Sequence, residues 1–126
     1  MTKGTDEYIL VVEDDRELRE GLHDALLLEG YRVESAANGH TALGILKSGA
    51  RPCLILLDLM MPVMDGWAFR QELLKDPALA DIPIVVMTAA NASLSQGVAT
   101  LRTLYKPLQM DTVVDAVMEH CAPPSS

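Results

Sequence analysis

With 126 residues the chain has material for one domain of ordinary size and none for a second independent core, so any effector domain is expected on another chain. Hydrophobic residues at 49% and charged residues at 22% match a soluble globular protein and argue against disorder or a coiled coil. Ten basic against 18 acidic residues give a net charge of −8 and a pI of about 4.7, which argues against direct nucleic-acid binding, because phosphate contacts need a cationic surface.

The longest apolar runs, Tyr8–Val12 and Cys53–Leu57, are five residues each, against the roughly 18 needed to cross a bilayer. No membrane insertion is expected. Residues 1–7 read as an N-terminal extension with neither an apolar stretch nor a basic start, so no secretory signal is seen and the expected location is cytoplasmic. Cys53 and Cys121 show no CxxC and no Cys/His ligand spacing. They read as buried or idle thiols rather than a disulfide or a zinc site.

Short β-type runs alternate with longer helical patterns in the order β-α-β-α-β-α-β-α-β-α. Tyr8–Val12 is the first strand, and Leu18, Leu22, Ala25 and Leu26 then share one helical face that Gly30 is placed to end. Arg32–Ala36 reads as a second strand. Asn38-Gly39 leads into a helix bearing Leu43 and Leu46, which Gly49 can close. Cys53–Leu57 has no polar alternation, the pattern of a central strand covered on both faces. A loop rich in Met and Pro, Leu59–Met64, precedes a helix over about Asp65–Lys75, and Pro77 blocks its continuation. Ile82–Met87 is the fourth strand, with Pro83 tolerable only near its start or at an edge. Ala89–Arg102, rich in small polar residues, reads as loop plus a short, weak helix. Thr103–Tyr105 is a brief fifth strand, and Val113, Val114, Val117, Met118 and Cys121 recur at helical spacing before the tail, residues 122–126.

Strict alternation of this kind implies a parallel sheet with helices on both faces, and functional groups then gather beyond the carboxyl ends of the strands. The first strand ends in Glu13-Asp14-Asp15, the third in Asp58, the fourth in Thr88 and the fifth in Lys106-Pro107. Carboxylates crowded around Asp58 repel one another, and a divalent cation resolves the conflict. An oxygen-rich set with little His or Cys favours Mg²⁺. Lys106 adds a point positive charge and Thr88 a hydroxyl donor, which together suit the oxygens of a transferring phosphoryl group. Asp58 is then the in-line nucleophile that forms an acyl phosphate.

The motifs Leu-Val-Val-Glu-Asp-Asp (10–15), Leu-Leu-Asp-Leu-Met-Met-Pro-Val-Met-Asp-Gly (56–66), Val-Met-Thr-Ala (86–89) and Tyr-Lys-Pro-Leu (105–108) occur in one order along the chain. In this the sequence resembles a response-regulator receiver domain of the CheY-like, single-domain type, over residues 8–121. The resemblance implies a flavodoxin-like (βα)5 fold, a doubly wound parallel five-stranded sheet with strand order 2-1-3-4-5 in a single domain. It also implies that Asp14 ligates Mg²⁺ directly, that Glu13 acts through water, and that Met60 lends a backbone carbonyl. Asp58 becomes the phosphoacceptor and a metal ligand, Thr88 the switch hydroxyl, and Lys106 the phosphoryl contact. The implied partners are a sensor histidine kinase or histidine phosphotransfer protein and an unidentified downstream protein. The chain is then not an enzyme but a phosphoacceptor that phosphorylates itself and slowly dephosphorylates.

Two departures from the family stand out. Thr103 occupies the position three before the lysine where an aromatic residue is usual, and strand alternation points Tyr105, adjacent to Lys106, to the other face. Thr88 and Lys106 are 18 positions apart, about one helical turn less than usual, which leaves the fourth helix short or irregular.

Other readings fit less well. Glu13-Asp14-Asp15 would repel the phosphate of a flavin nucleotide. An aspartyl-phosphate phosphatase commonly carries a second Asp where Met60 stands. A degenerate receiver acting only as a binding module is at odds with a complete set of reactive residues. Asp15 reads as a helix N-cap in preference to a metal ligand. His23, His40 and His120 read as solvated side chains without partners, Met60, Met61 and Met64 as fillers between loop and sheet, and Trp67 and Phe69 as helix-surface and core packing.

Overall fold

The structure, a computed structural model, describes residues 7–49, 51–61, 64–89 and 102–122. Its elements in chain order are β1 (Ile9–Val12), α1 (Arg16–Leu28), β2 (Val33–Ala36), α2 (Gly39–Ser48), β3 (Leu54–Asp58), α3 (Gly66–Leu74), β4 (Ile84–Thr88), β5 (Arg102–Tyr105) and α4 (Met110–His120). The strands are all parallel, in the order β2-β1-β3-β4-β5. This is the flavodoxin-like, doubly wound arrangement expected. The loop and weak helix assigned to Ala89–Arg102 fall for the most part on residues 90–101, outside the described residues.

Period-two alternation divides β1, β3 and β4 between two cores. Leu10, Val12, Ile55, Leu57, Ile84 and Val86 meet Ala42, Leu43 and Leu46 of α2 and Phe69 and Leu73 of α3. Ile9, Val11, Leu54, Leu56, Val85 and Met87 meet Leu22 and Leu26 of α1 and Val113, Ala116 and Val117 of α4. Every position of β3 is buried, as its unbroken apolar run requires of the middle strand. Complete burial of each such side chain is worth about 1.5–3 kcal/mol, so the strands are held firmly enough to fix what projects from their ends.

The helix ends follow the local chemistry. Asp15 caps α1, its carboxylate accepting from the backbone N–H of Glu17 at 3.0 Å and Leu18 at 3.3 Å. At the other end Gly30 takes φ 99°, open to glycine at little cost, while its N–H bonds to Leu27 O and that of Tyr31 to Leu26 O. Asn38 and Asp65 cap α2 and α3 through Thr41 N and Ala68 N. Gly49 does follow α2, but in extended backbone with φ −159° rather than a left-handed turn.

Two expectations are corrected. Cys53 and Cys121 are not free thiols: their Cα atoms are 5.4 Å apart and the sulfurs are bonded. A separation of 68 residues concealed this, because Cys53 just precedes the central strand, Cys121 just follows the last helix, and only the parallel topology brings those points together. Leu104 of β5 is buried against α4, so Thr103 and Tyr105 on either side of it share the opposite face, as alternation implies, with Tyr105 44% exposed. His23 is not without a partner, since its Nδ1 lies 2.7 Å from Ser35 Oγ on β2.

Gly66 is where the fold leaves no room. A Cβ there would lie 2.7 Å from Leu59 Cδ2, 2.8 Å from Leu59 Cα and 3.2 Å from Asp58 O. The backbone must shift to admit it, so Gly66→Ala is expected to lower stability by about 2 kcal/mol in urea unfolding. Gly44→Ala, on open helix surface with nothing near, should be neutral or stabilising.

Candidate functional site

Register alone lines up the strand ends. Val12 pairs with Leu57, Asp58 with Met87, and Thr88 with Tyr105, so Glu13, Asp58, Thr88 and Lys106 meet at one edge of the sheet. Main-chain bonds continue the alignment past the strands. Glu13 N donates to Ala36 O at 3.0 Å and Lys106 N to Thr88 O at 2.8 Å. The Lys106–Pro107 peptide bond is cis.

One carboxylate oxygen from each of Glu13, Asp14 and Asp58 lies within 4.8 Å of the other two. Asp14 is exposed, whereas Asp58 is 2% exposed and Glu13 fully buried. The Asp58 oxygens have separate tasks: Oδ1 accepts from Met60 N at 3.0 Å, and Oδ2 stands 3.3 Å from Lys106 Nζ. Lys106 Nζ also lies 3.0 Å from Glu13 Oε1, an ion pair without the angles of a good hydrogen bond. Glu13 Oε2 accepts from Asp15 N at 3.0 Å. Thr88 Oγ1 is buried and has no hydrogen-bond partner among the described residues.

The electrostatics are those of too many acids around one base. Burial, opposed by the Asp15 N–H and Lys106 and reinforced by Asp58, pushes the Glu13 carboxyl up to about 7. Burial works against the charge on Lys106, but Glu13 and Asp58 outweigh it and the ammonium titrates above its usual range. The donor set, three carboxylates with no soft ligand, suits a hard divalent cation, and a buried hydroxyl lacking a partner leaves a donor for an anionic group.

Glu13, Asp14, Asp58, Met60, Thr88 and Lys106 thus all reach this edge. Asp15 is the N-cap. Met61 is buried and Met64 packs against Gly39 and the core, but the Met60 side chain is 56% exposed, so this residue serves the site through its backbone and does not fill a gap. Phe69 is fully buried and Trp67 packs partly into the same core. One contributor was missed: Arg19 donates from Nη1 to Glu13 O at 3.0 Å and to Asp14 O at 3.3 Å, clamping the acidic turn from one turn into α1. Its place four residues after the N-cap was the only sequence signal.

A doubly wound parallel sheet with an acidic cluster, a lysine and a hydroxyl at its carboxyl edge defines a narrow class of α/β signalling domain. The chain belongs to the response regulator receiver domain family, whose model matches residues 9–118. It is similar to the response regulator MprA of Mycolicibacterium vanbaalenii, 44% identical over 93 residues, 74% of this chain and 38% of that protein. Among solved structures, the receiver domain of a signal transduction histidine kinase from Syntrophus aciditrophicus superposes with TM-score 0.82 at 31% identity, covering 90% of this chain and 88% of that one. Chemotaxis protein CheY4 of Vibrio cholerae gives 0.82 at 27% identity, covering 90% and 98%. The chain spans about a third of the length of the curated relatives it matches.

The raised Glu13 titration makes a signed prediction for the metal-free protein. Between about pH 4.5 and 7 the folded state keeps a proton that the unfolded chain has released, so stability from this group is greatest at the acid end and is lost as pH rises through 7. The Lys106 shift has the same sign, its contribution being lost as pH rises, but only above the usual lysine range, at strongly alkaline pH. Urea unfolding with a chelator present should therefore show Glu13→Gln gaining on the wild type between pH 5.5 and 8. Parallel stability profiles would show that Glu13 titrates normally.

Proposed function

We propose that the chain is the phosphoacceptor of a two-component or phosphorelay system, taking a phosphoryl group onto Asp58 from a sensor histidine kinase or a histidine phosphotransfer protein in the cytoplasm. The observation that carries this reading is the position of Asp58 Oδ2, 3.3 Å from Lys106 Nζ at the sheet edge where β4 ends in Thr88, whose buried hydroxyl has no partner among the described residues. Asp14, Asp58 and the Met60 carbonyl would hold Mg²⁺, with Glu13 acting through water. Bound there, the cation neutralises the carboxylates and the incoming phosphoryl oxygens.

The chain's own groups do the rest. An Asp58 carboxylate oxygen attacks phosphorus in line, the phosphorus–nitrogen bond of the donor phosphohistidine breaks, and the imidazole leaves with the electron pair. Lys106 then exchanges a carboxylate partner for a phosphoryl oxygen, and the Thr88 O–H gains the acceptor it lacks. Burial of Asp58 limits water's access to the acyl phosphate, in keeping with slow self-dephosphorylation. Partner binding would then respond to the movement of Thr88 and Lys106 toward the new dianion.

Acetyl phosphate with Mg²⁺ should add one phosphoryl group by intact mass to the wild type and none to Asp58→Asn. A stable adduct on the Asn variant, or one mapped to a histidine, would overturn the assignment. The acidic run separates by role. Following Trp67 fluorescence, Asp14→Ala should abolish the Mg²⁺ response, while Asp15→Ala should keep it and lose about 1 kcal/mol of stability with its N-cap. Equal loss of the response in both variants would move the metal site by one residue.

A further inference from the structure

At the edge of the sheet opposite the acidic site, Cys53 lies just before β3 and Cys121 is the C-cap of α4. Their bond ties the central strand to the last helix. We propose that this pair is a reversible thiol–disulfide site, oxidised by a small disulfide such as glutathione disulfide, whose state fixes or frees the last turn of α4.

Three observations carry the proposal. First, the fold does not need the bond as a scaffold, because both faces of the sheet already hold a complete hydrophobic core, unlike the small domains that depend on disulfides. Second, the open form has places for both sulfurs. Tyr8 O lies 3.4 Å from Cys53 Sγ, within reach of a thiol S–H, and Cys121 sits in the apolar cluster of α1 and α4, which suits a free thiol. Third, access is one-sided: Cys53 is partly exposed, whereas Cys121 is 4% exposed, so an incoming thiol or disulfide meets Cys53 first.

The exchange balances in two steps. The Cys53 thiolate attacks a sulfur of the small disulfide, whose S–S bond breaks and releases one small thiolate. The Cys121 thiolate then attacks the Cys53 sulfur of the mixed disulfide and releases the second. Two protein thiols are oxidised, the oxidant is reduced to two thiols, and the two protons leave with them. Reduction by two small thiols runs the same steps in reverse, beginning at Cys53.

Two polar contacts near this end of α4 reach solvent and are individually weak: Arg102 Nη1 stands 3.5 Å from Glu119 Oε2, and Ala122 N donates to Glu7 Oε1 at 3.2 Å. Val113, Ala116 and Val117 keep the earlier turns of α4 packed in either state. The change is therefore confined to the last turn and the chain leaving it, at the far end of β3 from Asp58.

The full chain, equilibrated in glutathione and glutathione disulfide mixtures, trapped by alkylation and weighed intact, should be doubly alkylated or bridged, with little singly alkylated form. Cys121→Ser should accumulate a glutathione adduct on Cys53, and Cys53→Ser should leave Cys121 unmodified. Hydrogen exchange over 118–122 should be at least ~10-fold faster in the reduced protein, with β1, β3 and β4 unchanged. Unchanged exchange over 118–122 would overturn the proposal, as would faster exchange throughout the sheet, failure of glutathione disulfide to close the bridge, or a bridge that dithiothreitol opens only after unfolding.

Discussion

Three carboxylates, two of them buried, share one lysine at the carboxyl edge of this sheet, and that imbalance is the constraint around which the top of the molecule is arranged. Lys106 stands between Glu13 and Asp58 but cannot neutralise both, and Asp14 adds a third negative charge beside them. Without a cation the site relieves the excess by holding a proton near Glu13, which is what its raised titration expresses. Backbone N–H groups take up part of the remaining charge, Asp15 N on Glu13 and Met60 N on Asp58. Such an edge is poised to accept positive charge and then an anion.

Holding that imbalance requires a stiff frame, which the two cores supply. Every strand of the inner three is buried along its length, so the backbone cannot relax to separate the acids. The close approach of Gly66 to Leu59 and Asp58 presses the start of α3 onto the acceptor loop, and Arg19 binds the carbonyls of the acidic turn from the other side. The site is thus set in place by groups that carry none of its chemistry.

The two ends of β3 have contrasting chemistry. Asp58 at the carboxyl end is surrounded by charge; Cys53, preceding the amino end, has the carbonyl of Tyr8 and an apolar cluster for neighbours. The four buried residues Leu54–Leu57 separate them, which allows covalent chemistry at one end without disturbing the ion pairs at the other.

Strand identity, sheet centrality and the acidic site were legible in the sequence because each depends on short-range pattern. An unbroken apolar run marks a strand covered on both faces, and reactive residues that immediately follow such runs must gather at one edge of a parallel sheet. The caps at Asp15 and Gly30 were legible for the same reason, since their bonds reach only two to five residues along the chain. What joins distant segments was decided by tertiary structure: the Cys53–Cys121 bond across 68 residues, the His23–Ser35 contact between α1 and β2, and the exposure of the Met60 side chain. Pattern along a chain fixes which residues turn inward together; which distant residue each one meets depends on how the elements pack.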